Sequence, residues 1–286
     1  MLVWLAGCTA PQVQDAFLYE ERTFVDPSRP TEPYGELAAS DSREILLLTW
    51  SDAGTDVQDR PLVLIAHGID GNPRKFDTFA SELAASGLFV AALAFPATNN
   101  ESGAGYAGVA DLPNQPGDLT ATLEHLQAAV ADPDDAFYRR FDPDTFGVIG
   151  HSLGAATVMG WTRYACCRTD QADAVVLLAV PQTLGVVFDG DPDPVGPPTV
   201  LAAGFEDGTV PWQESETFAG IIDEQALVLM EGVGHSEAIE GSEGESARAR
   251  FRTLVLGFFD QELRGEAGAL DRALDDPLFA NDDIRR

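Results

Sequence analysis

The run Phe146-Gly147-Val148-Ile149-Gly150-His151-Ser152-Leu153-Gly154-Ala155-Ala156-Thr157-Val158-Met159 decides the reading of this chain. A short apolar strand enters Gly150-His151-Ser152-Leu153-Gly154, and an alanine-rich helical segment leaves it. That is G-x-S-x-G in a strand–turn–helix context, the pattern that lifts a serine hydroxyl to the top of a sheet beside a helix N-terminus. Glycines on either side allow a turn that a Cβ would block. In a chain with 27 glycines the pentapeptide alone is weak, and its surroundings carry the weight.

Those surroundings supply an acid and a base in order. The apolar run Thr199-Val200-Leu201-Ala202-Ala203-Gly204 is followed by Phe205-Glu206-Asp207-Gly208. The run Leu227-Val228-Leu229-Met230 leads through Glu231-Gly232-Val233-Gly234 to His235. Ser152, Asp207 and His235 each lie just past the end of an expected strand, where open α/β sheets place their ligands. Serine, acid, histidine is one of the known triad orders. Serine needs a base to take its proton, and the base needs a carboxylate to set its tautomer. Asp207 is the favoured acid, with Glu206 its rival. A third strand, Pro61-Leu62-Val63-Leu64-Ile65-Ala66, runs into His67-Gly68-Ile69-Asp70-Gly71. A loop in that position supplies one backbone N–H of an oxyanion hole, so the amides of Ile69 and Leu153 are its expected donors, worth about 3–4 kcal/mol each. His67 and His151 read as supports of these loops, and His125 as a surface or packing residue.

Together these stretches resemble the α/β-hydrolase superfamily over about residues 20–263. Within it they are similar to dienelactone-hydrolase-like, chlorophyllase-like and platelet-activating-factor-acetylhydrolase-like bacterial serine esterases. Phe24-Val25-Asp26-Pro27-Ser28-Arg29-Pro30-Thr31 resembles that group's N-terminal segment. Arg43-Glu44-Ile45-Leu46-Leu47-Leu48-Thr49-Trp50 resembles its first long strand, and the elbow departs from it at Ala155, where a second glycine is usual. The resemblance implies a doubly wound, mostly parallel sheet with helices on both faces. It also implies a hydrolase of short-to-medium acyl or polyester-type carboxylic esters acting through an acyl-enzyme, with no cofactor and no metal. A thioesterase or peptidase of the same fold, and a non-catalytic surface-binding protein, are the alternatives.

Alternating apolar and helical segments agree. Expected strands are 44–50, 61–67, 88–95, 145–150, 173–180, 198–204 and 226–231, and expected helices 75–86, 116–131, 153–165, 212–222 and 245–263. Alternation of this kind argues for parallel strands with crossover helices. The expected organisation is a signal-like segment and linker at 1–19, one catalytic domain at 20–263 and a tail at 264–286. The connection from Pro181 to Pro198 is too short for a large helical lid. Its stretch Asp189-Gly190-Asp191-Pro192-Asp193-Pro194 lacks calcium-loop periodicity and reads as a solvated loop. The glycine- and asparagine-rich loop from Pro96 to Pro116 is expected to line the substrate pocket.

With 47 acidic against 17 basic residues the formal charge is −30, and Lys75 is the only lysine. Such a surface disfavours nucleic acid and anionic membranes as partners, and it suggests salt adaptation. The expected partner is a small-molecule or polymeric ester, and the expected state a monomer. Leu5-Ala6-Gly7-Cys8 resembles a lipobox, which makes Cys8 the lipidation candidate and the expected location secreted or cell-envelope, although only four residues precede it and none is basic. Cys166 and Cys167 are adjacent and read as structural thiols.

Overall fold

In a computed structural model, residues 12–14, 17–52, 60–182, 187–241 and 244–286 are described. Cys8 lies outside them. The chain builds a ten-stranded sheet in the order β1-β2-β3-β5-β4-β6-β7-β8-β9-β10. The strands are β1 (Gln12–Gln14), β2 (Phe17–Asp26), β3 (Arg43–Asp52), β4 (Pro61–Ala66), β5 (Phe89–Ala94), β6 (Asp142–His151), β7 (Ala174–Leu178), β8 (Thr199–Gly204), β9 (Ala226–Met230) and β10 (Asp283–Arg285). The centre, β5 through β9, is parallel. Both flanks are antiparallel, with β1, β2 and β3 on one side and β10 on the other.

Central strands read as unbroken apolar runs because both of their faces are covered. In β4, Leu62 and Leu64 point into one core while Val63 and Ile65 point into the other. The period-2 alternation of a strand thus feeds two hydrophobic layers from one sequence. The first layer is closed by α2 (Gln115–Ala131), α3 (Leu153–Arg163) and α4 (Trp212–Ala219), through Leu119, Leu123, Met159 and Phe218. The second is closed by α1 (Asp77–Ala85), α5 (Glu245–Arg264) and α6 (Ala269–Leu274), through Phe79, Leu83, Phe251, Phe258 and Leu270. Pro116 sits in the first turn of α2, where its missing N–H has no intrahelical partner to lose.

Three expectations are corrected. The segment 264–286 is no tail: α6 packs on α5, and β10 pairs antiparallel with β9, Ile284 opposite Val228. At the other end, β2 begins at Phe17, inside the segment read as a linker, and pairs along its whole length with β3. Cys166 and Cys167 form a disulfide with each other and are not free thiols. Two neighbours can bridge here because α3 has already ended at Arg163, so their peptide lies in a turn instead of a helix. The acidic stretch near Asp193 is pinned as well as wet. Arg163, buried at 1% exposure, donates to the carbonyls of Pro194 at 2.9 Å and Pro197 at 2.8 Å.

Candidate active site

β6 ends at His151, α3 starts at Leu153, and Ser152 turns the chain between them with φ 55° and ψ −124°. This left-handed strain falls on the serine itself, a rare place for a non-glycine residue and a mark of sites where neighbouring structure over-determines the backbone. The two flanking glycines answer to packing. A Cβ on Gly154 would lie 2.2 Å from the Ala66 carbonyl oxygen, and one on Gly150 2.5 Å from the Ala155 Cα. Neither distance admits a side chain: glycine at 154 lets α3 press against β4, and glycine at 150 lets β6 turn tightly into α3. The Ser152 amide is held by Leu178 O of β7 at 2.9 Å.

The three residues expected to act together are brought together. His235 Nε2 lies 3.0 Å from Ser152 Oγ, and His235 Nδ1 lies 2.7 Å from Asp207 Oδ2. Asp207 Oδ1 accepts the amides of Thr209 and Val210, both at 2.8 Å. Its side chain is fully buried. Burial pushes the carboxyl up, but the hydrogen bonds from His235, Val210 and Thr209 outweigh it and hold the group below the usual aspartate range. Asp207 therefore stays a carboxylate, the form that orients an imidazole through Nδ1–H. Glu206, its rival, is exposed, and its amide is spent on Val233 O at 3.0 Å.

The expected oxyanion loop passes directly over Ser152. A Cβ on Gly68 would sit 2.9 Å from Ser152 Cβ and 3.3 Å from Ser152 Oγ, so this approach is open only to glycine. Among the described residues, neither Ile69 nor Leu153 gives its amide to a backbone carbonyl. Behind the loop, fully buried His67 accepts the Phe95 amide at Nε2, 3.0 Å, so Nδ1 carries the hydrogen and donates to Gly68 O at 2.6 Å. Burial lowers its pKa to about 4, which keeps it neutral and in that tautomer. His151 supports the elbow as expected, its Nε2 donating to the His235 carbonyl at 2.8 Å. His125 is a packing residue, stacked on Phe24 with ring centroids 4.3 Å apart.

The loop from Pro96 to Pro116 divides into two parts. Its second half carries Val109 and Leu112 into the core that also holds Leu153. Its first half, with Pro96, Asn99 and Ser102, lines a cavity of about 440 Å³ together with Glu21, Glu44 and Arg74. None of the three clustered residues lines that cavity, so it is not the pocket above Ser152. Phe205, two residues before Asp207, meets Trp212 edge to face at 5.4 Å, both half-buried and packed against the first core. Sequence reading missed Glu240, which approaches His151 Nδ1 at 3.4 Å. No short motif marks it.

No protein-family model and no curated protein matches this chain in sequence. Solved structures do match it in shape. A ferulic acid esterase from Streptomyces cinnamoneus superposes with a TM-score of 0.70 at 18% identity, covering 97% of this chain and 98% of that one. Esterase 2 from the planctomycete Thermogutta terrifontis superposes with a TM-score of 0.59, also at 18% identity, over 79% of this chain and 91% of that one. The fold is that of the α/β-hydrolases. The same Thermogutta enzyme is known phosphonylated by cyclosarin, at a TM-score of 0.58, 18% identity and 77% and 89% coverage. Among the described residues, no helix is long and apolar enough to cross a membrane.

Proposed function

We propose that this chain is a serine hydrolase of carboxylic esters. One observation carries the reading: the unbroken contact from Asp207 through His235 to Ser152 Oγ, 2.7 Å and then 3.0 Å, at an elbow overhung by a glycine loop. Ser152 Oγ attacks the ester carbonyl while His235 Nε2 takes its proton. The carbonyl oxygen becomes an oxyanion and accepts the amides of Ile69 and Leu153. Collapse of the tetrahedral adduct expels the alcohol, which receives the proton from His235. Water then attacks the acyl-enzyme, again with His235 as base, and releases the acid and free Ser152. Asp207 holds the imidazole tautomer and offsets the positive charge of the imidazolium.

The expected substrate is an ester with an acyl group of short-to-medium length, whether small or part of a polymer. That structural neighbours of this chain are esterases supports ester hydrolysis. The test is labelling with a fluorophosphonate, followed by a series of p-nitrophenyl esters of rising acyl length. Wild type is expected to label on Ser152 and Ser152→Ala not at all. An unlabelled wild type that is also inert on every ester leaves the non-catalytic binding protein standing. Thioester or amide cleavage faster than ester cleavage moves the assignment within the fold. The lipobox-like Leu5-Ala6-Gly7-Cys8 adds an envelope anchor to the proposal. Diacylglycerol on Cys8 in the mature protein is the expected mass-spectrometric result, and an unmodified Cys8 counts against it.

A further inference from the structure

Three loops form this site, and a single carboxylate outside the triad touches the structure of all three. Glu240 lies on the loop that carries His235, with its amide donating to Ser236 O at 2.8 Å. Its Oε1 is 3.4 Å from Nδ1 of His151, the elbow residue next to Ser152. Its Oε2 is 3.9 Å from Nζ of Lys75. Lys75 Nζ donates to the carbonyl of Asp70 at 2.9 Å, and the Lys75 carbonyl accepts the Gly241 amide at 2.9 Å. His151 Nε2 closes the circuit by donating to the His235 carbonyl. The Glu240 side chain is 18% exposed and that of His151 2%.

The charges make the circuit more than a set of contacts. Burial works against an ionised Glu240, but His151, Lys75 and His235 outweigh it and hold the carboxyl below the usual glutamate range. Lys75 is the only lysine of the chain, in a protein of formal charge −30, and it is spent here. Its target matters too. Asp70 follows the oxyanion donor Ile69 and has φ 55°, a conformation a non-glycine residue holds only under constraint. Two ties impose it: the Asp70 amide to Thr98 O at 2.8 Å, and the Asp70 carbonyl from Lys75.

We propose that Glu240, with Lys75 and His151, is a positioning hub that keeps the oxyanion amide of Ile69 and the base His235 in register with Ser152. None of the three touches the reacting atoms, so they act through the residues that do. The inference rests on the ester-hydrolase reading, and its signature is a fall in kcat with KM unchanged, because misplaced oxyanion and base groups weaken the transition state and not the ground-state complex.

The experiment measures kcat and KM on a p-nitrophenyl ester for Glu240→Gln, Lys75→Met, Lys75→Arg and the double variant Glu240→Gln/Lys75→Met, with Ser152→Ala in the same series. Glu240→Gln and Lys75→Met are each expected to lower kcat by about 10- to 100-fold, the scale of a 1 Å misplacement, with KM within about twofold. The double variant should be little worse than either single one, and Lys75→Arg should recover most of the loss. Should Glu240→Gln fold poorly, the single lysine gives a second route. Its side chain is 39% exposed, so succinylation of the wild-type enzyme reaches it and should depress kcat, whereas reductive methylation, which keeps the charge, should not. A kcat within about twofold of wild type in Lys75→Met, a loss seen in KM instead, or single-variant losses that multiply in the double would each overturn the hub. Those outcomes with an inactive Ser152→Ala leave the hydrolase reading intact, and an active Ser152→Ala overturns that reading itself.

Discussion

Buried carboxylates serve two regions of this molecule in different ways. At the top of the parallel centre, Asp207 faces an imidazole, His235, at 2.7 Å. In the antiparallel wing, Asp111 and Asp118 face a guanidinium, Arg43 of β3, both at 2.6 Å and all three side chains fully buried. Arg29 adds a further contact to Asp118 at 2.8 Å and holds Asp26 at 2.7 Å. Burial pulls the Arg43 pKa down, but its bonds to Asp118 and Asp111 outweigh it and raise it. An arginine never gives up its proton in the working range, whereas a histidine exchanges one near neutrality. The wing is therefore a fixed brace and the centre, on the proposed function, a proton-transfer device, although both are built from dehydrated aspartates. The partner decides the role.

The sharpest way to break that contrast is to remove the device. Ser152→Ala and His235→Ala are expected to lower kcat by roughly 10⁴-fold or more and Asp207→Asn by somewhat less, with the melting temperature little changed. Glu206→Gln, exposed and one residue away, should keep most of the activity. If it is as damaging as Asp207→Asn, the acid is misassigned.

Removing the brace should do the reverse. Arg43→Met leaves buried Asp111 without its cation and Asp118 with Arg29 alone, a change that costs about 3–5 kcal/mol. The expected result is a melting temperature lower by roughly 10 °C, read by calorimetry, while kcat per folded molecule stays near wild type. A normal melting temperature would show that water or rearrangement relieves the wing.

Each region also holds a neutral histidine, fully buried His67 in the centre and half-buried His125 in the wing, both with pKa values lowered by burial to about 4. Unfolded histidine titrates near 6.5. As pH falls through 6.5 the unfolded chain takes up protons that the folded chain refuses until about 4. Stability is thus full above pH 6.5 and declines toward pH 4, by about 3 kcal/mol per histidine. His125→Gln should flatten the fall in melting temperature over that window, and an unchanged slope would mean His125 is protonated while folded.

Salt separates surface charge from buried charge. The −30 balance predicts a melting temperature that rises by several degrees from low salt to molar sodium chloride, because screening relieves repulsion among exposed carboxylates. The deficit of Arg43→Met should stay the same at both salt levels, since its pairs are dry. A flat wild-type curve would remove surface repulsion as a factor. The smallest effect is expected from the Cys166–Cys167 bridge. It joins neighbours, closes almost no loop and restrains the unfolded chain little. Dithiothreitol should move the melting temperature by under roughly 2 °C and leave kcat unchanged, and a larger fall would give the bridge a role in holding the end of α3.

The centre of the sheet and the grouping of Ser152, Asp207 and His235 were legible in the sequence by itself. Elbow, strands and helices are decided by residues within a few positions of one another. The unbroken apolar run of β4 fits a strand covered on both faces, and Gly150 and Gly154 bracket the one serine that such a turn can present. Partners far apart in the chain carry no such mark. Arg43 meets Asp111 and Asp118 across 68 and 75 residues. β10 finds β9 only after α5 and α6 have turned the chain back. Glu240 reaches His151 and Lys75 only because β4 and β6 are neighbours in the sheet and the loops at their tops converge with the one after β9. Local stereochemistry chooses the elements and the elbow serine. Which acid, which base and which buried charges meet there depends on strand order, and strand order is settled only when the whole sheet closes over its two cores.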